Sequence, residues 1–271
     1  MFRIEKNQSG LARTFRLLEL IYHATVRNVR KSNGSAVMGL VMHIIQSIMM
    51  VLIFMFIADL MGMRKFAIRG DFMLFIMSGI FMFMTHVKAI GAVSGADGPT
   101  SQMMKHAPMN PIISIAAAAL GVLYLQVLAA LIILFFYHAV FTPITIDQPY
   151  HALGMFLLSW ASGVAIGMIL LSARPWAPGL VGLLGTFFQR ANMVASGKMF
   201  VANSLKPSLL AMFDWNPLFH TIDQGRGFVF LNYIPRNSDM IYPIKVIAVC
   251  MVIGLMLEFF TRKHASASWN T

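Results

Sequence analysis

The chain has 271 residues, 58% of them hydrophobic and 11% charged, with a mean hydropathy of +0.72. Soluble domains carry roughly 25% charged residues, so this composition lacks the polar surface to coat a water-soluble globule, and the bilayer is its natural solvent. The balance of 21 Lys and Arg against 10 Asp and Glu gives a net charge of +11; with the basic residues flanking apolar runs, the partner this predicts is anionic membrane lipid and not nucleic acid.

The length suits one membrane domain, residues 1–271, with short loops. The single cysteine, Cys250, lies inside an apolar run, which excludes an intrachain disulfide and a cysteine metal cluster. No cleavable signal peptide is evident, because basic residues recur throughout the first part of the chain.

Residues 11–31 read as an amphipathic helix. Leu11, Phe15, Leu18, Tyr22, Val26 and Val29 share one face, and Arg13, Arg16, His23, Arg27 and Arg30 the other, the pattern of a helix lying in the membrane interface. Six spanning segments are expected at 36–58, 72–93, 112–141, 152–172, 177–196 and 241–260, each near the roughly 20 residues a crossing needs. The third is longer than one crossing, and the fifth is weakened by Arg190. The expected fold class is therefore an all-α integral membrane protein. It has a cytoplasmic N-terminus and interfacial helix in 1–35, spans one to five in 36–196, an extracytoplasmic re-entrant segment in 197–240, and the last span with a cytoplasmic tail in 241–271.

Orientation follows from the basic residues near the first span: Arg3, Lys6, Arg13, Arg16, Arg27, Arg30 and Lys31 predict a cytoplasmic N-terminus. Six spans return the C-terminus to the cytoplasm, where Arg262 and Lys263 follow the last span. The loop between the third and fourth spans has no Lys or Arg and agrees. Two outside loops fit less well: one holds Arg64, Lys65 and Arg69, the other Lys198, Lys206, Arg226 and Arg236.

Two connections differ from simple loops. Residues 98–111 are bounded by prolines and long enough for a two-turn cytoplasmic helix. Residues 197–240 are half apolar yet broken by Pro207, Pro217 and Pro235, a pattern that fits short helices dipping into the outer leaflet while shielded by protein.

No catalytic constellation is visible. There is no phosphate-binding G-x-x-x-x-G-K-[ST] loop, the eight histidines have no ligand spacing, and the carboxylates stand singly. Gly91-x-x-x-Gly95 and Gly163-x-x-x-Gly167, the latter extended by Ser159, place small residues on one helical face, which suits close helix packing. Lys88 and Arg190 are intramembrane charges, a functional flag by default. Lys88 is within snorkelling reach of the cytoplasmic end. Arg190, near the outer end of the fifth span, is a candidate contact for an anionic polymer or a lipid phosphate. Phe72 and Phe75 belong to a set of aromatics on which sugar rings could stack, although single Phe residues in such helices serve packing or lipid contact.

The arrangement resembles the permeases of type-2 ABC exporters, in particular the capsular polysaccharide export permeases. Three stretches carry the resemblance: the basic helix ending Val26-Arg27-Asn28-Val29-Arg30-Lys31; Gly91-Ala92-Val93 through Met104-Lys105-His106-Ala107-Pro108-Met109-Asn110-Pro111; and Trp215-Asn216-Pro217-Leu218-Phe219-His220 followed by Arg226, which looks like the family's W-N-P-L-x-H…R signature. With the six-span layout it covers nearly the whole chain. Three places depart from the family pattern: Val41-Met42-His43 stands where Glu-Pro is common, Met199-Phe200-Val201 lacks a proline, and Asp223 stands near a usual Glu.

The resemblance implies a transport subunit of the bacterial inner membrane, not an enzyme. It implies a homodimer served by two copies of an ABC ATP-binding subunit, which would bind ATP and Mg while this chain binds no cofactor. Thr100, Ser101, Gln102, Met103, Met104, Lys105 and His106 would couple to the ATPase. Trp215, Asn216, Pro217, His220 and Arg226 would shape the outer gate. The cargo would be a lipid-linked anionic capsular glycan, passed on to a periplasmic co-polymerase-type adaptor and an outer-membrane export protein. Export of O-antigen, teichoic acid or another glycan shares this architecture. A membrane-embedded transferase would need clustered reactive residues at the membrane face, and an ion-driven secondary transporter would show internal repeats; neither is visible.

Overall fold

The computed structural model describes residues 10–33, 35–60, 62, 70–98 and 111–264. Among them there is no strand. The elements are α1 (Gly10–Asn33), α2 (Ala36–Leu60), α3 (Phe72–Ser94), α4 (Pro111–Val140), α5 (Pro149–Ala173), α6 (Pro178–Ala195), a 3-10 turn (Ala202–Ser204), α7 (Pro207–Leu210), α8 (Pro217–Val229) and α9 (Ile241–His264). Five helices, at Val37–Leu60, Phe72–Ser94, Pro111–Val140, Pro149–Ala173 and Ile241–His264, are long and apolar enough to cross a membrane. The chain is an all-helical, multi-pass membrane protein.

The apolar residues of α1 divide along its length. Phe15, Leu18 and Tyr22 are exposed, while Val29 is buried against α4. There a Cβ on Gly121 would come within 3.3 Å of the Val29 side chain. One half of the helix thus docks on the bundle, and the other presents apolar side chains outward.

The next helix, α2, is peripheral. Ser47, Val51, Phe54 and Ala58 form its buried stripe at helical spacing, and Met38, Val41, Ile45, Ile48, Leu52 and Phe56 face out. At the centre lies α3, packed chiefly on α5 and also on α2, α4 and α8. The α3–α5 seam is made by the small residues of α5: a Cβ on Gly163 would sit 2.4 Å from the His86 carbonyl oxygen, and one on Gly167 2.8 Å from Val93 Cβ. Ser159 Oγ donates to the Met82 carbonyl (2.7 Å), and the His86 Nδ1 lies 2.8 Å from Ser162 Oγ. The Gly163–Gly167 row therefore packs within the chain.

With 30 residues, or about 45 Å, α4 overshoots a hydrocarbon core of about 30 Å. Its far end carries Tyr137, which with Thr142 donates to the Asp71 carboxylate that caps α3 (2.6 and 2.9 Å). Against α5 packs α9, where Thr261 Oγ1 donates to the Ser172 carbonyl (2.9 Å) and accepts from Trp176 Nε1 (2.9 Å). The C-terminal ends of α5 and α9 thus meet at one end of the bundle. Counting crossings through α2, α3, α4 and α5, this is the α1 end.

The expected fifth span, 177–196, is helical as α6, but its 18 residues fall outside the group long and apolar enough to cross. Just past α6, the Lys198 Cα lies where a Cβ on Gly79 would approach it to 3.0 Å. Gly79 stands seven residues, about 10 Å, inside the N-terminal end of α3. The chain leaves α6 well before reaching the level where α3 begins. Gly197, at φ +74 and with Phe219 so close that a Cβ would lie 2.8 Å from its ring, makes the reversal.

Candidate functional site

The stretch after α6 returns as short pieces, of which α8 is the longest and the most deeply buried. It packs among α3, α5 and α9. At 13 residues, or about 20 Å, it cannot span. A polar group inside such a bundle costs free energy unless it finds partners, and α8 has several.

Asn216 caps the helix: its Oδ1 accepts from the Leu218 N–H (3.0 Å), and Pro217 follows in the first helical position, where its missing N–H is harmless. The Asn216 amide then donates both hydrogens to α6, to Asn192 Oδ1 (2.7 Å) and to the Ala195 carbonyl (3.0 Å). One side chain thereby starts α8 and ties it to the end of α6.

One turn on, the His220 Nδ1 accepts from the Asp239 N–H (2.9 Å), which places the ring proton on Nε2, donating to the Asp214 carbonyl (2.7 Å). The imidazole is neutral in this arrangement, so its approach to the Asp214 carboxylate at 3.3 Å is not an ion pair. The ring also lies 4.6 Å from that of Tyr242 in α9.

Arg226 is almost wholly buried. Nη1 donates to the carbonyls of Gly197 and Phe200 (both 2.8 Å), and Nη2 donates to that of Lys198. The guanidinium carbon lies 3.9 Å from the Phe75 ring centroid. Burial lowers its pKa, to about 10, against an opposing pull from Asp223, so it remains a cation at neutral pH. Asp223 itself accepts from Tyr233 Oη and Ser238 Oγ, and burial with the nearby carboxylate pushes the Tyr233 phenol up.

Beside this knot, the Lys198 ammonium is buried between two rings, 3.5 Å from the centroid of Phe83 and 4.7 Å from that of Phe54, and donates to the Met193 carbonyl. Burial pulls its pKa down to about 7.

Of the residues named from sequence, the fold brings Asn216, Pro217, His220 and Arg226 into one buried segment. Trp215 adjoins it but is exposed, its carbonyl accepting from Tyr242 Oη (2.7 Å). Phe75 belongs to the same cluster, under Arg226 and stacked on Phe72 at 6.3 Å. Arg190 lies elsewhere, on the exposed face of α6 with Leu183, Phe187 and Val194. Thr100, Ser101, Gln102, Met103, Met104, Lys105 and His106 lie outside the described residues.

Sequence reasoning did not single out Lys198, Asn192, Asp223, Tyr233 or Ser238 as members of the site. Lys198 stands out in the sequence only as one basic residue of a segment expected outside, and nothing local points to its two aromatic partners.

Among the described residues, no group of three His, Cys, Asp or Glu side chains is placed to hold a metal ion. A cavity of about 540 Å³ opens next to the end of α8, lined by Asp71, Thr145, Asp147 and Asn232 among others. No protein-family model matches the sequence, and no curated protein matches it.

Proposed function

We propose that this chain is the permease subunit of an ATP-driven exporter that moves a lipid-linked, anionic polysaccharide of the capsular class across the bacterial inner membrane. One observation carries the reading. The polar positions of the W-N-P-L-x-H…R signature, Asn216, His220 and Arg226, are all buried, and each is bonded to a neighbouring segment, so that together they seat a non-spanning helix between the last two membrane helices.

In this reading residues 197–240 are a re-entrant wedge at the outer end. Arg226 fixes it to the turn after α6, and Trp215 stays exposed beside it. Two copies of the chain pair in the membrane, and two ABC ATP-binding subunits below them supply ATP and Mg. The segment from Thr100 to His106 transmits their closure as a rigid-body motion. The termini face the cytoplasm. The polymer passes to a periplasmic adaptor and an outer-membrane export protein.

Deleting the gene in its encapsulated host tests the reading. The expected result is polymer retained inside the cell, restored to the surface by the wild-type gene and not by Arg226→Ala. Normal surface polymer in the deletion strain would overturn it.

A further inference from the structure

At the α1 end of the bundle, a trough opens along α3. Its larger part is a cavity of about 520 Å³ between α1, α2, α3 and α4, lined among others by Asn28, His43, Lys88 and Gly91. This is within the roughly 300–1,000 Å³ range of small-ligand sites. A second cavity of about 240 Å³ shares Gly91, Gly95 and Gln189 with it and runs on to Arg174 and Thr186.

The two glycines are the ones that sequence spacing placed on a packing face. Here they pack no helix: Gly91 is exposed, and a Cβ added to it would meet nothing within 4 Å. They leave this edge of the trough open, in contrast to the closed Gly163–Gly167 seam.

Lys88 stands six residues before the end of α3, about 9 Å along the axis. A lysine at that depth can snorkel to the interface. This one instead turns sideways, and its ammonium donates to Gln46 Oε1 of α2 at 2.6 Å. A neutral amide satisfies one of its three donors. No Asp or Glu lines either cavity, and among the described residues none pairs with Lys88. A half-buried ammonium within the membrane calls for an anion.

The remaining lining supplies hydrogen-bond donors. Gln126 Nε2 lies 2.8 Å from the His43 Nδ1, which leaves the ring proton on His43 Nε2, and Asn28 and Gln189 contribute amides. Val29, Val87, Val122 and Leu125 form an apolar wall, suited to acyl chain and not to a free ion.

We infer that this trough holds the phosphate of an anionic membrane lipid, with Lys88 as its counter-charge, the Gly91–Gly95 edge as its opening and the apolar wall against its chain. The site needs only the membrane location of the chain and no ATPase, so it stands or falls separately from the exporter reading.

Native mass spectrometry of the full chain, extracted in mild detergent and given equal amounts of phosphatidylglycerol and phosphatidylcholine, tests it. Phosphatidylcholine carries its own cation beside the phosphate and is the control. The expected result is on the order of tenfold greater retention of phosphatidylglycerol, equivalent to about 1.4 kcal/mol. Lys88→Met should bring the two lipids within about twofold, and Lys88→Arg should keep the preference. Gly91→Leu, which fills open space, should reduce phosphatidylglycerol retention with an unchanged melting temperature. Equal retention by the wild type would overturn the inference, as would an undiminished preference in both Lys88→Met and Gly91→Leu. Displacement of the lipid by millimolar inorganic phosphate would overturn the lipid assignment in favour of a free anion.

Discussion

The Arg226 guanidinium closes over the ring of Phe75 at 3.9 Å, and in that position it donates to three carbonyls of the turn that follows α6, those of Gly197, Lys198 and Phe200. Helix ends inside a membrane must have their carbonyls satisfied by protein. Here Lys198 and Asn216 serve the α6 carbonyls of Met193 and Ala195, and one planar fork from α8 serves the turn that follows, which makes the non-spanning segment a fixed part of the bundle.

Arg226→Ala should therefore destabilise the protein by roughly 3–5 kcal/mol, the usual result of breaking a buried charged network. At about 2–4 °C per kcal/mol, the thermal melt in detergent should fall on the order of 10 °C. Arg226→Lys keeps the charge but cannot reach three acceptors with a fork, and it should fall between the two. Unchanged melting of the alanine variant would show that the reversal holds without Arg226.

Lys198 sets a pH dependence. Its folded pKa, about 7, lies below the ordinary 10.5. Between these values the unfolded chain binds the proton and the folded chain does not, so stability rises with pH from about 7 upward. Tyr233 acts in the opposite sense above its ordinary value of 10, because its phenol is held protonated in the fold. Melting temperatures should therefore climb between about pH 7 and 10 and then turn down. Lys198→Met should flatten the climb; a wild-type melt flat over that window would contradict the burial of the ammonium.

Two glycines of α5 should respond with opposite signs. Gly154 has open space where a Cβ would go, so Gly154→Ala should stabilise by roughly 0.4–1 kcal/mol through lower unfolded-state entropy. Gly163→Ala would drive a Cβ into the His86 carbonyl at 2.4 Å, separating α3 from α5. It should lower the melting temperature by several degrees. Equal effects of the two substitutions would deny the tight seam.

The helix order places the two ends of α4 on opposite sides of the membrane, and the proposed function puts α1 on the cytoplasmic one. Three crossings separate exposed Glu19 in α1 from exposed Thr142 beyond α4. In a Cys250→Ser background, Thr142→Cys should react with a membrane-impermeant maleimide in intact cells. Glu19→Cys and Lys263→Cys should react only after permeabilisation. Labelling of Glu19→Cys and Thr142→Cys from the same side would break the helix order.

The five long helices were legible because each crossing demands an unbroken apolar run, and that demand is written locally in the sequence. The helix α1 was legible from its periodicity, but its docking by one end and not by one face was not. The short reach of α6 was not, because a run of apolar residues does not reveal where a chain turns back. Nor does spacing alone separate Gly91–Gly95 from Gly163–Gly167: both pairs share a face, but only the structure supplies what stands opposite. Asn216, His220 and Arg226 could be named through a motif. Their acceptors, as far as 29 residues away at Gly197, depend on the return of the chain through the bundle.

The exporter reading is tested most directly by co-expressing the tagged chain with an ABC ATP-binding subunit from the same genome, purifying it in mild detergent and measuring ATP hydrolysis. The account predicts a complex of two permeases and two ATP-binding subunits that hydrolyses ATP, and that loses both association and activity when a proline is inserted between Thr100 and His106. A well-folded chain that binds none of the ABC ATP-binding subunits of its genome would contradict it.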